Sequence, residues 1–142
     1  MGDALREAYR RTAFIAETPK GRLSLRIGQR CPELDALLAV HGVGTWAYVT
    51  AFNPGSVPLT AQENSARQHQ LERSVADMGF VSYPGQGVGD DGRWPPEPSL
   101  LVLGIARDQA TRLGQQYAQL AIVYGEAHRQ AELLVCSEAG GR

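Results

Sequence analysis

The sequence predicts an α+β protein with a ferredoxin-like βαββαβ core over residues 45–126. Three observations predict it. The patterns in this stretch run strand, helix, strand, strand, helix, strand. The first of the two helices opens on a capping box, Thr60 with Glu63 three residues on, and closes at Gly79. Residues 99–105, Ser-Leu-Leu-Val-Leu-Gly-Ile, are apolar on both faces, which marks a central, covered strand.

The elements follow in order. Residues 3–10 suit a short helix, and residues 12–16 and 23–27 read as strands joined by Thr18-Pro-Lys-Gly21, a hairpin. Residues 32–41 form a helix with Pro32 at its start and Gly42 past its end. Leu34, Leu37, Leu38 and His41 share its inner stripe, so His41 reads as a helix-end residue rather than a catalyst. Residues 45–52 are a strand rich in aromatic and branched side chains, ending in the turn Asn53-Pro-Gly-Ser56. The capped helix runs to Met78, residues 80–83 are a short strand, and Pro84 to Pro98 read as a long Gly/Pro/Asp loop. A helix over 107–119, a strand over 120–124 and a last strand over 131–136 complete the chain. The hairpin, the first helices and the last strand are additions to the core.

At 142 residues and 43% apolar, the chain suits a single domain over 1–142, its core spanning about 9–136 and the tail 137–142 frayed. Disorder is excluded as the main state. No apolar run reaches the ~18–20 residues of a membrane span, and the N-terminus lacks a secretory stretch, so a cytoplasmic protein is expected. A net charge of −1 gives no bulk case for nucleic acid or membranes. Residues 100–105 carry no aromatic for stacking bases, which disfavours an RNA-recognition module. Thirteen of the fourteen basic residues are arginines, a bias that GC-rich codons also produce. Cys31 and Cys136 are unclustered, and His41, His69 and His128 show no ligand spacing, so reduced thiols, no metal site and no cofactor are expected.

The ferredoxin-like topology brings four segments to one edge: Asn53 to Ser56, the helix start at 60–67, the loop 84–99, and Gln119. Leu71, Val75 and Met78 form the buried stripe of the capped helix, and extending it backward gives Arg67 and Asn64. A buried arginine needs a partner, and Glu97, Asp90, Asp91 or an anionic ligand would serve. Arg67 and Asn64 could equally pin the long loop. Gly85-x-Gly87-x-Gly89 could form an anion nest, although prolines follow it where a nucleotide site needs a helix. Asp90-Asp91 before Gly92 reads as a solvated turn, and Trp94 either caps the core or stacks on a ligand. Glu97 between two prolines is a carboxylate of fixed direction. Ser56, Ser82 and Ser99 lack a nucleophile motif. Tyr124 and Glu126 fall at the opposite edge, as a secondary patch.

At Thr50-Ala-Phe-Asn-Pro54, Glu63-Asn64 with Arg67, Tyr83-Pro-Gly-x-Gly87, Trp94-Pro-Pro-Glu-Pro-Ser-Leu-Leu-Val-Leu-Gly-Ile105 and Gln119-x-Ala-Ile-Val-Tyr-Gly-Glu126, the chain resembles the DUF3293 family, from about Tyr9 to Cys136. The resemblance implies a stand-alone bacterial domain of unknown function and names no substrate. One departure is Tyr117-Ala118 before Gln119, where the family pattern implies an aromatic-Gly pair.

Three functional readings follow. A binding module would hold a small polar or anionic ligand against Arg67, with Asn53, Ser56, Asn64, Gly85, Gly87, Trp94, Glu97, Ser99 and Gln119 around it. An enzyme would use Glu97 as acid or base, with Arg67, Asn53 and Asn64 stabilising charge. An interaction protein would pair through the hairpin or the sheet face, homodimerisation included.

Overall fold

The computed structural model describes residues 1–92 and 94–137. In chain order the elements are α1 (Asp3–Arg10), β1 (Thr12–Thr18), β2 (Gly21–Leu25), α2 (Pro32–Val40), β3 (Thr45–Val49), a 3-10 turn (Pro54–Ser56), α3 (Ala61–Asp77), β4 (Val81–Gly89), β5 (Glu97–Leu103), α4 (Arg107–Gln116), β6 (Ala121–Glu126) and β7 (Glu132–Val135). The fold is mixed α+β. Its seven strands make one sheet in the order β2-β1-β4-β5-β3-β6-β7, with every neighbouring pair antiparallel and β5 at the centre.

The sheet curls until its two edges meet. Ile27, just past β2, bridges Ala131, just before β7. Gly28 N donates to Ala131 O at 2.8 Å, and Ala131 N donates to Gln29 O at 2.9 Å. Curling gives the sheet an inner and an outer face, and the period-2 alternation of each strand sorts its side chains between them. On β3, Ala47 and Val49 join the outer core under α3 and α4, together with Leu71, Leu100 and Val102. Trp46 and Tyr48 join the inner core with Phe14, Leu25, Leu101 and Leu103, and α2 contributes Leu34, Leu37 and Leu38 to it. Each of the leucines, valines and phenylalanines among them, fully buried, contributes roughly 1.5–3 kcal/mol. The capping box at Thr60 forms as expected: Glu63 N donates to Thr60 Oγ1 at 3.1 Å and Thr60 N to Glu63 Oε1 at 3.0 Å.

The largest departure from expectation is the segment 84–98. It is not a long loop: β4 continues to Gly89 and pairs with β5 from Gly87↔Glu97 to Val81↔Leu103, while its other edge pairs with β1. Glycines 85, 87 and 89 are therefore strand residues, not an anion nest. They alternate onto the inner face, where β1 folds in closely. A Cβ on Gly85 would collide with the Ile15 carbonyl oxygen and come within 2.9 Å of the Tyr48 hydroxyl. Glycine in a strand marks such a close backbone approach.

Smaller corrections concern helix ends. Met78 is 43% exposed and leaves the buried stripe, which instead runs Asn64, Gln68, Leu71, Val75. α4 stops at Gln116 rather than 119, and Ala118 takes the left-handed backbone conformation (φ +56°). Both cysteines are free thiols, and residues 138–142 of the expected frayed tail lie outside the described residues. No helix among the described residues is long and apolar enough to cross a membrane.

Candidate functional site

The curl leaves a trough with two ends. α2 occupies one, near Trp46 and Leu103, where Asp35 Oδ1 accepts a hydrogen bond from His128 N at 2.9 Å. At the other end a cavity of about 300 Å³ opens between α1 and the inner face. Leu5, Ala8 and Tyr9 of α1 form one wall. Thr12 and Phe14 of β1, Tyr48 of β3, Glu97 and Ser99 of β5, and Ala121 and Val123 of β6 form the others, with Thr50, Phe52 and Asn53 following β3. Gly87 and Gly89 contribute by having no side chain there. The walls are mainly apolar. Phe14 meets Tyr48 edge-on at 5.3 Å between ring centres, and Tyr9 stacks on Phe14 at 6.4 Å.

The loop after β3 supplies the polar end. Asn53 is held in the left-handed conformation (φ +49°), which asparagine tolerates better than most residues. A reciprocal pair fixes it: Asn53 N donates to Asn64 Oδ1 at 2.9 Å, and Asn64 Nδ2 donates to Asn53 Oδ1 at 2.8 Å. Leu59 N donates to the same Oδ1, so Asn53 Nδ2 is aimed at Glu97 Oε2, 3.3 Å away. Among the described residues Glu97 Oε1 receives no hydrogen bond, and since no buried side-chain oxygen is left without a partner, that oxygen is accessible, on a residue that lines the cavity. Burial raises the proton affinity of Glu97 above that of an ordinary carboxyl, and the Asn53 amide pulls it partly back. Burial also raises the pKa values of Tyr9 and Tyr48, and the charge on Glu97 adds to both shifts; at Tyr48 the Ser99 hydroxyl opposes it.

Asn53, Ser56, Gly87, Trp94, Glu97, Ser99 and Gln119 thus line one cavity. Trp94 stands at its rim, 68% exposed, and neither caps the core nor is enclosed. Gly85 lies outside the lining. Asn64 acts from behind, through Asn53. Arg67 is also outside the lining: its Nε donates to Ala51 O at 2.8 Å, and its Nη2 donates to Tyr117 O. Among the described residues no carboxylate pairs with it. Its partners are backbone oxygens, and Glu97 takes Asn53 instead. Asp90, which also lines the cavity mouth, lies with Asp91 in the exposed turn expected there, and it forms a two-pronged pair with Arg26 at 2.9 and 3.1 Å. Tyr124 is buried at the other end of β6 with the Arg107 guanidinium 4.9 Å over its ring, and Glu126 beyond it is exposed. No group of three or more His, Cys, Asp or Glu among the described residues could hold a metal ion.

Sequence reasoning missed Tyr9, Phe14, Tyr48 and Thr50 as lining residues. The signal was the alternation Trp46-x-Tyr48-x-Thr50, which puts three large or polar side chains on one side of β3 and of the residue that follows it. Gln68 was missed too. It lies one turn after Asn64 on the buried stripe and accepts a hydrogen bond from Ala51 N at 3.0 Å.

The family described as "Protein of unknown function (DUF3293)" matches residues 49–122, just over half of the chain, and the chain belongs to that family. The match runs from the end of β3 into β6 and includes Asn53, Asn64, Arg67, Glu97 and Gln119. No curated protein matches, and neither does any solved structure.

Proposed function

We propose that this DUF3293 member is a small-molecule binding protein whose ligand occupies the cavity between α1 and the inner face of the sheet. The observation that carries the reading is a cavity of about 300 Å³ with largely apolar walls and one incompletely paired carboxylate, Glu97, opening into it. That volume is at the lower end of small-molecule sites, and a few fixed polar groups in an apolar pocket is their usual chemistry. Arg67 then serves as scaffold, tying the end of β3 to the end of α4, and the ligand sits on the other side of the Asn53–Asn64 pair. The strand order β4-β5-β3-β6, with α3 and α4 on one face, supports a ferredoxin-like reading of residues 45–126.

The test is a screen of the intact chain by thermal shift and amide NMR, run in parallel on Gly87→Val. A Cβ at Gly87 would meet Thr12 and Phe14 at 3.7–3.9 Å, ordinary contact, so a side chain can start there without displacing the strand, and valine's methyl groups narrow the cavity beside Phe14. Hits that shift cavity amides in the parent and disappear in Gly87→Val support binding there. Hits retained by Gly87→Val place the ligand elsewhere and end the reading. An enzyme using Glu97 as acid or base is the second reading, favoured by its raised proton affinity. It ranks second because the Tyr9, Tyr48, Thr50 and Ser99 hydroxyls each donate to a backbone carbonyl, so none of these four is activated as a nucleophile.

A further inference from the structure

We infer that the cavity takes an organic cation: a protonated amine carried on a small apolar or aromatic body. The inference rests on the cavity being the binding site and specifies what it would select.

The argument is an inventory of donors and acceptors. Tyr9 donates its hydroxyl proton to Ala121 O at 3.2 Å, Tyr48 to Ile15 O at 2.6 Å, Thr50 to Pro98 O at 2.7 Å and Ser99 to Glu97 O at 2.9 Å. A hydroxyl has one proton, so each retains only lone pairs for a ligand. Gln119 Nε2 lies between two carbonyl oxygens, Phe52 O at 3.0 Å and Tyr117 O at 3.2 Å, an environment only the amide NH₂ can occupy. Its carbonyl oxygen has no partner among the described residues, and it too remains as an acceptor. The free oxygen of Glu97 completes the set. These side chains together present acceptors to the cavity, one of them a carboxylate; of the donors in the lining, Ser56 and Trp94 are exposed, and Asn53 Nδ2 already spends one of its two protons on Glu97.

Charge points the same way. Glu97 has a single 3.3 Å hydrogen bond and no cationic partner among the described residues. The cationic side chain in the lining, Arg11, is exposed and bonded to Glu7 at 3.0 Å. Burial without compensation raises the proton affinity of Glu97, and an ammonium group beside it would supply the missing charge and donate N–H bonds to it. The rings of Tyr9, Phe14 and Tyr48 suit an aromatic or aliphatic body, and their faces attract cations. An anion would meet a carboxylate that has no cationic partner among the described residues, with Arg11 already bonded to Glu7.

The test titrates the intact chain with three probes of one shape: 2-phenylethylamine as cation, 2-phenylethanol as neutral isostere, and phenylacetate as anion. Amide NMR shifts report where each binds. The amine should bind at the cavity amides at least about ten-fold more tightly than the alcohol, with no binding of phenylacetate. Glu97→Gln should bring the amine down to the level of the alcohol. Gly87→Val should abolish both, and serves as the control if Glu97→Gln fails to fold. Alcohol or phenylacetate binding at the cavity as tightly as the amine overturns the cation while leaving the cavity as the site. Amine binding that Gly87→Val retains overturns both, as does the absence of cavity shifts with all three probes.

Discussion

Arg67 and Glu97 divide between them the two tasks a charged residue can have at this end of the fold. Arg67 directs its planar fork at the Ala51 and Tyr117 carbonyl oxygens, which lie at the ends of β3 and α4. Lysine keeps the charge but cannot present two fixed donors, so Arg67→Lys should lower stability by about 1–3 kcal/mol, read from the urea midpoint. Ligand binding in the cavity should survive the change; an undiminished midpoint would remove Arg67 from the scaffold. Glu97 has the opposite signature. Its proton affinity is raised in the fold, so the folded state holds the proton more tightly than the unfolded chain. That stabilisation is fully present below the unfolded carboxyl pKa and is lost as pH rises through the higher folded value. Glu97→Gln stays neutral throughout. Its melting temperature should match the parent near pH 4 and exceed it increasingly toward pH 7. A difference independent of pH would mean that Glu97 is well solvated.

Ala118 and Gly85 are matters of whole elements, because each decides how one element ends or bends. α4 ends through Ala118 in the left-handed conformation, and Ala118 O accepts from Gly55 N at 2.7 Å, tying this end to the turn after β3. An L-residue there costs roughly 1–2 kcal/mol, partly offset by the unfolded-state freedom that glycine adds. Ala118→Gly should therefore stabilise the protein by up to about 1 kcal/mol, measured by thermal melting. Gly85→Ala should do the reverse, costing about 3 kcal/mol or preventing folding, since its Cβ meets backbone that cannot rotate away. A soluble, fully stable Gly85→Ala would show that β1 does not lie as close as described. These two positions also show what the sequence could reveal. The capping box of α3 and the two-sided apolar run of β5 are legible because their causes lie within the element. The second half of β4, residues 84–89, has the local pattern of a loop because Gly85 answers to Ile15 and Tyr48, far off in sequence, and local propensity carries no trace of that contact. The family pattern implied a glycine before Gln119, and the backbone keeps glycine's conformation with alanine in its place.

At the scale of the whole molecule the curl decides which residues meet. The polar end of the site, Asn53, Glu97 and Gln119, is traceable from topology alone, but the walls that α1 and β1 supply join it only when the sheet rolls up. The same roll separates the two cysteines. Cys31 packs beside the inner core and Cys136 belongs to the outer core, with the sheet between them. A disulfide needs Cα atoms within roughly 7 Å, which residues on opposite sides of a sheet do not reach without unfolding. Burial raises both thiol pKa values, that of Cys136 to about 11, so little thiolate exists at neutral pH. The native chain should therefore remain free of intrachain disulfide during prolonged air oxidation. Half-buried Cys31 should react first with a disulfide reagent, while Cys136 reacts only as fast as the outer core opens. Denaturant should bring the two rates together at the unfolding midpoint. An intrachain disulfide formed under native conditions, or equal labelling rates without denaturant, would contradict the closed curl and the two-sided core built on it.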